Sequence, residues 1–147
     1  SGSDEKIARA LELGAEAGFH YAQDPDWDKS VLKATSGEGV DHVIEVGGAG
    51  TLERSLKAVR VGGQVSMIGV LSGANAPVAV TWLLMKSVTV RGIFVGSREM
   101  FLRMNRAVSA SGLRPVLGRL FPFHEAPEAF RLMQEGGHFG KIVVGLR

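Results

Sequence analysis

The sequence predicts an α/β chain built on a parallel sheet, and three observations predict it. Strand-length apolar runs alternate with segments whose apolar residues recur at helical spacing, an order that calls for crossover connections rather than hairpins. Two of those runs, Val40–Val46 and Gln64–Gly69, end on or beside glycine and flank a helix-like segment. Glycine itself is abundant, 20 of 147 residues with no collagen-like period, so many backbone positions need positive φ or close approach.

Taken in order, residues 4–13 read as a helix: Ser3 or Asp4 caps it, Ile7 and Leu11 share a face, and Gly14 stops it. Phe19–Tyr21 reads as a short strand. Asp24-Pro25 opens a second helix, with Trp27, Val31 and Leu32 as its stripe and Ser36-Gly37 as its end. Val40–Val46 is a strand leading into Gly47-Gly48. Thr51–Val59 is a helix through Leu52, Leu56 and Val59, after which Gly62-Gly63 turns the chain into the strand Gln64–Gly69. A loop of small residues, 72–77, precedes a brief helix at 81–86 and a longer strand, Val88–Val95, broken at Gly92.

From Ser97 the texture changes, and a boundary is expected near residue 96. A helix at 98–111 carries Phe101, Met104 and Val108. An irregular extended piece with Pro115 and Pro122 covers 113–123. A helix at 125–135 turns Phe130 and Met133 inward, and the last strand is Lys141–Leu146. Met100, Phe101 and Met104 read as core residues, and Ser97 as a helix cap.

Composition excludes several classes. There is no cysteine, which removes disulfide frameworks and Cys-based zinc sites. The formal charge is +2 with the basic residues scattered, so nucleic-acid binding is not indicated. No apolar run reaches membrane-spanning length, and the polar start Ser1-Gly2-Ser3-Asp4-Glu5-Lys6 is no signal peptide. A cytoplasmic protein acting on small molecules, with neither membrane nor nucleic-acid partners, is the expectation. His20, His42, His124 and His138 stand too far apart for a local metal motif, and no nucleophile has a base beside it in sequence, so no metal ligand or catalytic residue is assigned.

Four segments together resemble the zinc-type alcohol dehydrogenase and quinone reductase branch of the medium-chain dehydrogenase/reductase family. They are Ser3-Asp4-Glu5-Lys6 followed by Ala10-Leu11-Glu12-Leu13-Gly14-Ala15, the stretch from Gly39 to Gly48, the stretch from Gly62 to Gly69, and His138-Phe139-Gly140-Lys141-Ile142-Val143-Val144. Their order and spacing, joined by residues 90–98, span the chain. The resemblance implies a partial Rossmann-type doubly wound sheet over residues 1–96 and, over 97–147, a return segment that packs on a catalytic domain. The family's glycine-rich fingerprint and catalytic domain have no counterpart here, so this chain is expected to be one piece of a larger protein, inactive alone and exposing apolar surface and strand edges. In the usual strand order the stretch Phe19–Tyr21 would then be orphaned.

The resemblance also assigns a cofactor site. The strand ends Val46-Gly47-Gly48, Gly69-Val70-Leu71 and Ile93-Phe94-Val95 would line a nicotinamide dinucleotide, although the same glycines would serve tight turns alone. Ser1, Ser3 and Lys6 would admit a 2′-phosphate, favouring NADP over NAD, while Ser3 is equally placed to cap a helix and Ser1-Gly2-Ser3 also reads as an appended linker. Lys141 would sit near the diphosphate, or else in solvent. The implied activity is hydride transfer between NADP(H) and a small alcohol, aldehyde, ketone, enone or quinone, with zinc dependence left open. A non-catalytic nucleotide-binding or subunit-assembly module is the alternative, and a methyltransferase-like domain a third. A homodimer through the edge strand Val88–Val95 is also expected.

Overall fold

The computed structural model describes residues 1–146, which fall into two compact units that divide between Val95 and Gly96. In the first, helices α1 (Asp4–Glu12) and α2 (Trp27–Ala34) precede an alternation of strand β1 (Val40–Glu45), helix α3 (Leu52–Ala58), strand β2 (Val59–Met67), helix α4 (Thr81–Lys86) and strand β3 (Thr89–Gly92). The strands form one parallel sheet in the order β1-β2-β3, with Val43 opposite Val65 and Val65 opposite Val90. The expected α/β class and parallel sheet are present.

The core follows the apolar spacing. Leu56 of α3 and Val59 and Val65 of β2 are fully buried, and Val43, Leu52, Met67, Val78, Trp82, Leu83 and Val88 pack around them. Lys86 closes the carboxyl end of α3: its ammonium donates to the carbonyls of Leu56 (3.3 Å), Lys57 and Val59 (2.8 Å). These are carbonyls the helix itself leaves without donors.

Three strand expectations are corrected. Phe19–Tyr21 is not a strand; among the described residues Ser1 alone lies beside it as a strand neighbour would, through Ser1 N to Phe19 O (2.8 Å) and Tyr21 N to Ser1 O (3.0 Å), and one residue makes no ladder. β2 starts at Val59 rather than Gln64, because Val59 pairs with Val40 and residues 60–63 bulge out before Gln64 meets His42. The strand expected over Val88–Val95 stops at Gly92, the last residue of β3 with a partner on β2. One sheet face lies against α3 and α4, whereas Ile44, pointing the other way, is 58% exposed.

The second unit holds helix α5 (Arg98–Ser111), strand β4 (Leu117–Pro122), a single 3₁₀ turn at Phe123–Glu125, helix α6 (Ala126–Glu135) and strand β5 (Lys141–Gly145). β4 and β5 pair in parallel with Phe121 opposite Val144, and α6 is the crossover between them. The extended piece expected to be irregular therefore contains a strand, with Pro122 at its end, where a missing N–H breaks no ladder. Phe121 and Ala129 are buried. Met100, Phe101 and Met104 on α5 and Phe130 and Met133 on α6, expected inward, are each more than half exposed: their spacing gives each helix an apolar face, but nothing among the described residues covers those faces.

Candidate functional site

Parallel strands place their carboxyl ends together, and the chain leaves each strand of the first unit on the same edge of the sheet. β1 ends in Val46-Gly47-Gly48, β2 leads to Gly69-Val70-Leu71, and β3 to Ile93-Phe94-Val95. Backbone hydrogen bonds lace these exits. Ile68 N donates to Glu45 O (2.9 Å), Leu71 N to Val46 O (3.2 Å), Ser72 N to Gly47 O (2.7 Å), Ala49 N to Gly73 O (2.9 Å) and Ile93 N to Met67 O (2.8 Å). Residues 47, 69 and 93 thus lie along one edge rather than on opposite sides of the unit.

The glycines are explained first by this lacing. Gly48 has φ +84°, and a Cβ there would come within 2.8 Å of Val70 Cα; a Cβ on Gly69 would come within 2.6 Å of Val46 O. Both positions require glycine because two loops touch, whatever binds above them. The side chains of the exits face outward and are apolar: Val46 is 46% exposed, Leu71 86% and Phe94 95%.

Glu45 is the hub beneath the shelf that these laced strand exits form. It is 3% exposed, and its carboxylate accepts from Gly47 N (2.7 Å), Gly48 N (3.0 Å), Thr51 Oγ1 (2.6 Å) and Ser55 Oγ. Burial pushes its pKa up, but the hydrogen bonds from Ser55, Thr51, Gly48 and Gly47 outweigh burial and hold it below the ordinary glutamate value. On the rim, Arg54 of α3 bridges Asp26 (3.0 Å) and the buried Asp28 (2.5 Å), tying α2 to α3.

A cavity of about 930 Å³ opens beside β1 in this unit. Ser1, Lys6, Val46, Gly47 and Leu71, all expected at the site, line it together with Tyr21, Arg54, Thr51 and Ser72. Ser3 does not line it; its hydroxyl accepts from Lys6 N at 3.4 Å and caps α1. Gly48, Gly69 and Val70 belong to the laced loops, and Ile93, Phe94 and Val95 to the exit from β3, without lining the cavity. Lys141 opens β5 in the second unit and is exposed, its N–H on Val116 O (2.8 Å).

Sequence reading missed Tyr21, Glu45, Thr51, Ser55 and Ser72. The signal for Glu45 was present, since an acid ending an apolar strand just before two glycines has backbone N–H groups within reach. It also missed His42 Nε2, 2.7 Å from Ser66 Oγ across β1 and β2. That hydroxyl is buried and also takes the Gln64 amide (3.2 Å), so the pair ties two strands together. No three His, Asp or Glu side chains among the described residues converge as a metal cage, and no described helix is long and apolar enough to cross a membrane.

Residues 1–110 match the sequence pattern of the zinc-binding dehydrogenases. A zinc-type alcohol dehydrogenase-like protein of Schizosaccharomyces pombe is 38% identical over 98% of this chain and 43% of its own length. Among solved structures, an NAD-dependent alcohol dehydrogenase superposes with a TM-score of 0.88 at 32% identity, over 100% of this chain and 43% of its own. A 2-octenoyl-CoA carboxylase reductase, solved with NADP and 2-octenoyl-CoA, superposes with a TM-score of 0.86 at 25% identity, over 97% of this chain and 36% of its own. The chain thus spans less than half the length of these relatives.

Proposed function

The chain belongs to the zinc-binding dehydrogenase family, and on that premise we propose that it supplies the strand-end half of a nicotinamide dinucleotide site in an oxidoreductase. The reaction is hydride transfer between NADP(H) and a small alcohol, aldehyde, ketone, enone or quinone. The observation that carries this reading is the laced edge at which β1, β2 and β3 all end, the place where open α/β sheets hold ligands.

The residues fit such a cofactor. Val46, Leu71, Ile93, Phe94 and Val95 offer apolar surface to flat rings, and the turns at Gly47, Gly48, Gly69 and Val70 hold that surface in place. Ser1, Lys6 and Tyr21, residues that carry two hydroxyls and an ammonium group, line one cavity, which supports a 2′-phosphate and hence NADP rather than NAD. Ser3 contributes by holding the first turn of α1. The bound dinucleotide would supply or accept the hydride; the residues of this chain bind and orient it. In this reading residues 1–96 form the dinucleotide domain and 97–147 the segment that packs on a catalytic domain.

The test is titration of the full-length protein with NADPH and with NADH. NADPH is expected to bind more tightly, and Lys6→Ala to cut that preference about tenfold, the worth of one charge-assisted contact. Tighter binding of NADH would overturn the 2′-phosphate assignment, and binding of neither would overturn the dinucleotide reading.

A further inference from the structure

We propose that Glu45 is a positioning residue for the dinucleotide: its carboxylate sets the 46–48 turn and, through the Gly47 carbonyl, the neighbouring 69–73 loop. The proposal rests on the dinucleotide reading above and deepens it.

A buried carboxylate is costly unless hydrogen-bonded, and none of the four groups donating to Glu45 is a cation. Two of them are the consecutive N–H groups of Gly47 and Gly48, turned inward onto the same oxygen, Oε1. Consecutive amides that point one way form a concavity for an anion, and here the anion is the protein's own. The Gly47 carbonyl accepts from both Ser72 N (2.7 Å) and Ser72 Oγ (2.7 Å), and Ser72 Oγ in turn accepts from Gly50 N (2.9 Å).

One uninterrupted path therefore runs from the Glu45 carboxylate through Gly47 to the 69–73 loop. It has two consequences for a ligand. The Gly47 and Gly48 N–H groups are already engaged, so this turn meets a ligand with side chains rather than amides. The side chains so presented, Val46 from one loop and Leu71 from the other, line the same cavity only while the two loops stay laced.

Glu45→Gln and Ser72→Ala in the full-length protein test this, with NADPH as the probe. Glu45→Gln keeps an acceptor for the two amides but loses the charge, and trading a charge-assisted for a neutral hydrogen bond should raise the NADPH dissociation constant about tenfold. The emission of bound NADPH, which reports the surroundings of the nicotinamide ring, should shift with it. Ser72→Ala, on an exposed loop, should weaken binding too, and the double variant should lose less than the sum because both act through one carbonyl. A Glu45→Gln protein that melts earlier yet binds NADPH with unchanged affinity and emission has lost only a structural contact, and the proposal fails. If Glu45→Gln does not fold, unchanged binding in Ser72→Ala overturns it alone. Wild-type protein that binds no NADPH removes the functional reading and this proposal with it.

Discussion

Lys86 shows how one side chain stabilises a segment distant in sequence. Its ammonium donates to three carbonyls at the carboxyl end of α3, and it lies with Lys57 against the ring of Trp82, 5.7 and 5.8 Å from the ring centre. Burial pulls its pKa below the ordinary lysine value, the expected sign for a cation partly removed from water. Lys86→Met keeps the aliphatic stem but removes every donor. Hydrogen bonds from a charged group are worth about 1.5–3 kcal/mol, so urea unfolding of the full-length protein should show a loss of about 2 kcal/mol. A change below about 0.5 kcal/mol, the range of ordinary surface substitutions, would show that water replaces the ammonium without cost. The sequence marked Lys86 only as the end of a short helix, because a cap that reaches 27 residues back leaves no local spacing to read.

At the scale of elements, periodicity identified what periodicity governs. α4 and α5 have the expected bounds, and α1, α3 and α6 differ by a residue at either end, because helical spacing and capping residues act within one segment. Strands fared less evenly, since a strand exists only where a partner offers a ladder. Phe19–Tyr21 has Ser1 alone, β2 gains residues from a bulge against Val40, and β4 emerges from a proline-bearing stretch because β5 lies beside it. β3 carries the element-scale prediction. It stands at the edge of the sheet, its apolar Val90 is 40% exposed, and the exit beyond it exposes Phe94 and Val95. We expect two copies of the full-length protein to pair along this edge. Small-angle scattering should then report a dimer that Val90→Pro dissociates, because Ile93 N turns inward to Met67 O, alternation turns the N–H of residue 90 outward, and proline removes that edge donor. A monomer at high concentration, or a dimer indifferent to the proline, would sink the idea.

For the molecule as a whole, ligand binding is the global test. A dinucleotide that binds only the native state at a hundred times its dissociation constant stabilises it by about 2.7 kcal/mol, so NADPH should raise the melting temperature of the full-length protein while S-adenosylmethionine leaves it unchanged. The reverse result would favour a methyltransferase-like reading. The lining of the candidate cavity was legible in part. Ser1, Lys6, Val46, Gly47 and Leu71, named from the resemblance, do line one cavity, whereas Tyr21, Thr51 and Ser72 join them only because the chain folds back.

What the sequence determined by itself was the alternation of elements, the parallel class of the sheet and the stretches that leave its strands, since apolar period, caps and glycines act over a few residues. Tertiary structure alone decided which stretches became strands, that Glu45 gathers four donors under the shelf, and that the glycines at 48 and 69 serve the contact between two loops. Strand pairing and the satisfaction of a buried charge join residues far apart in sequence, and a partner must be in place before either takes effect.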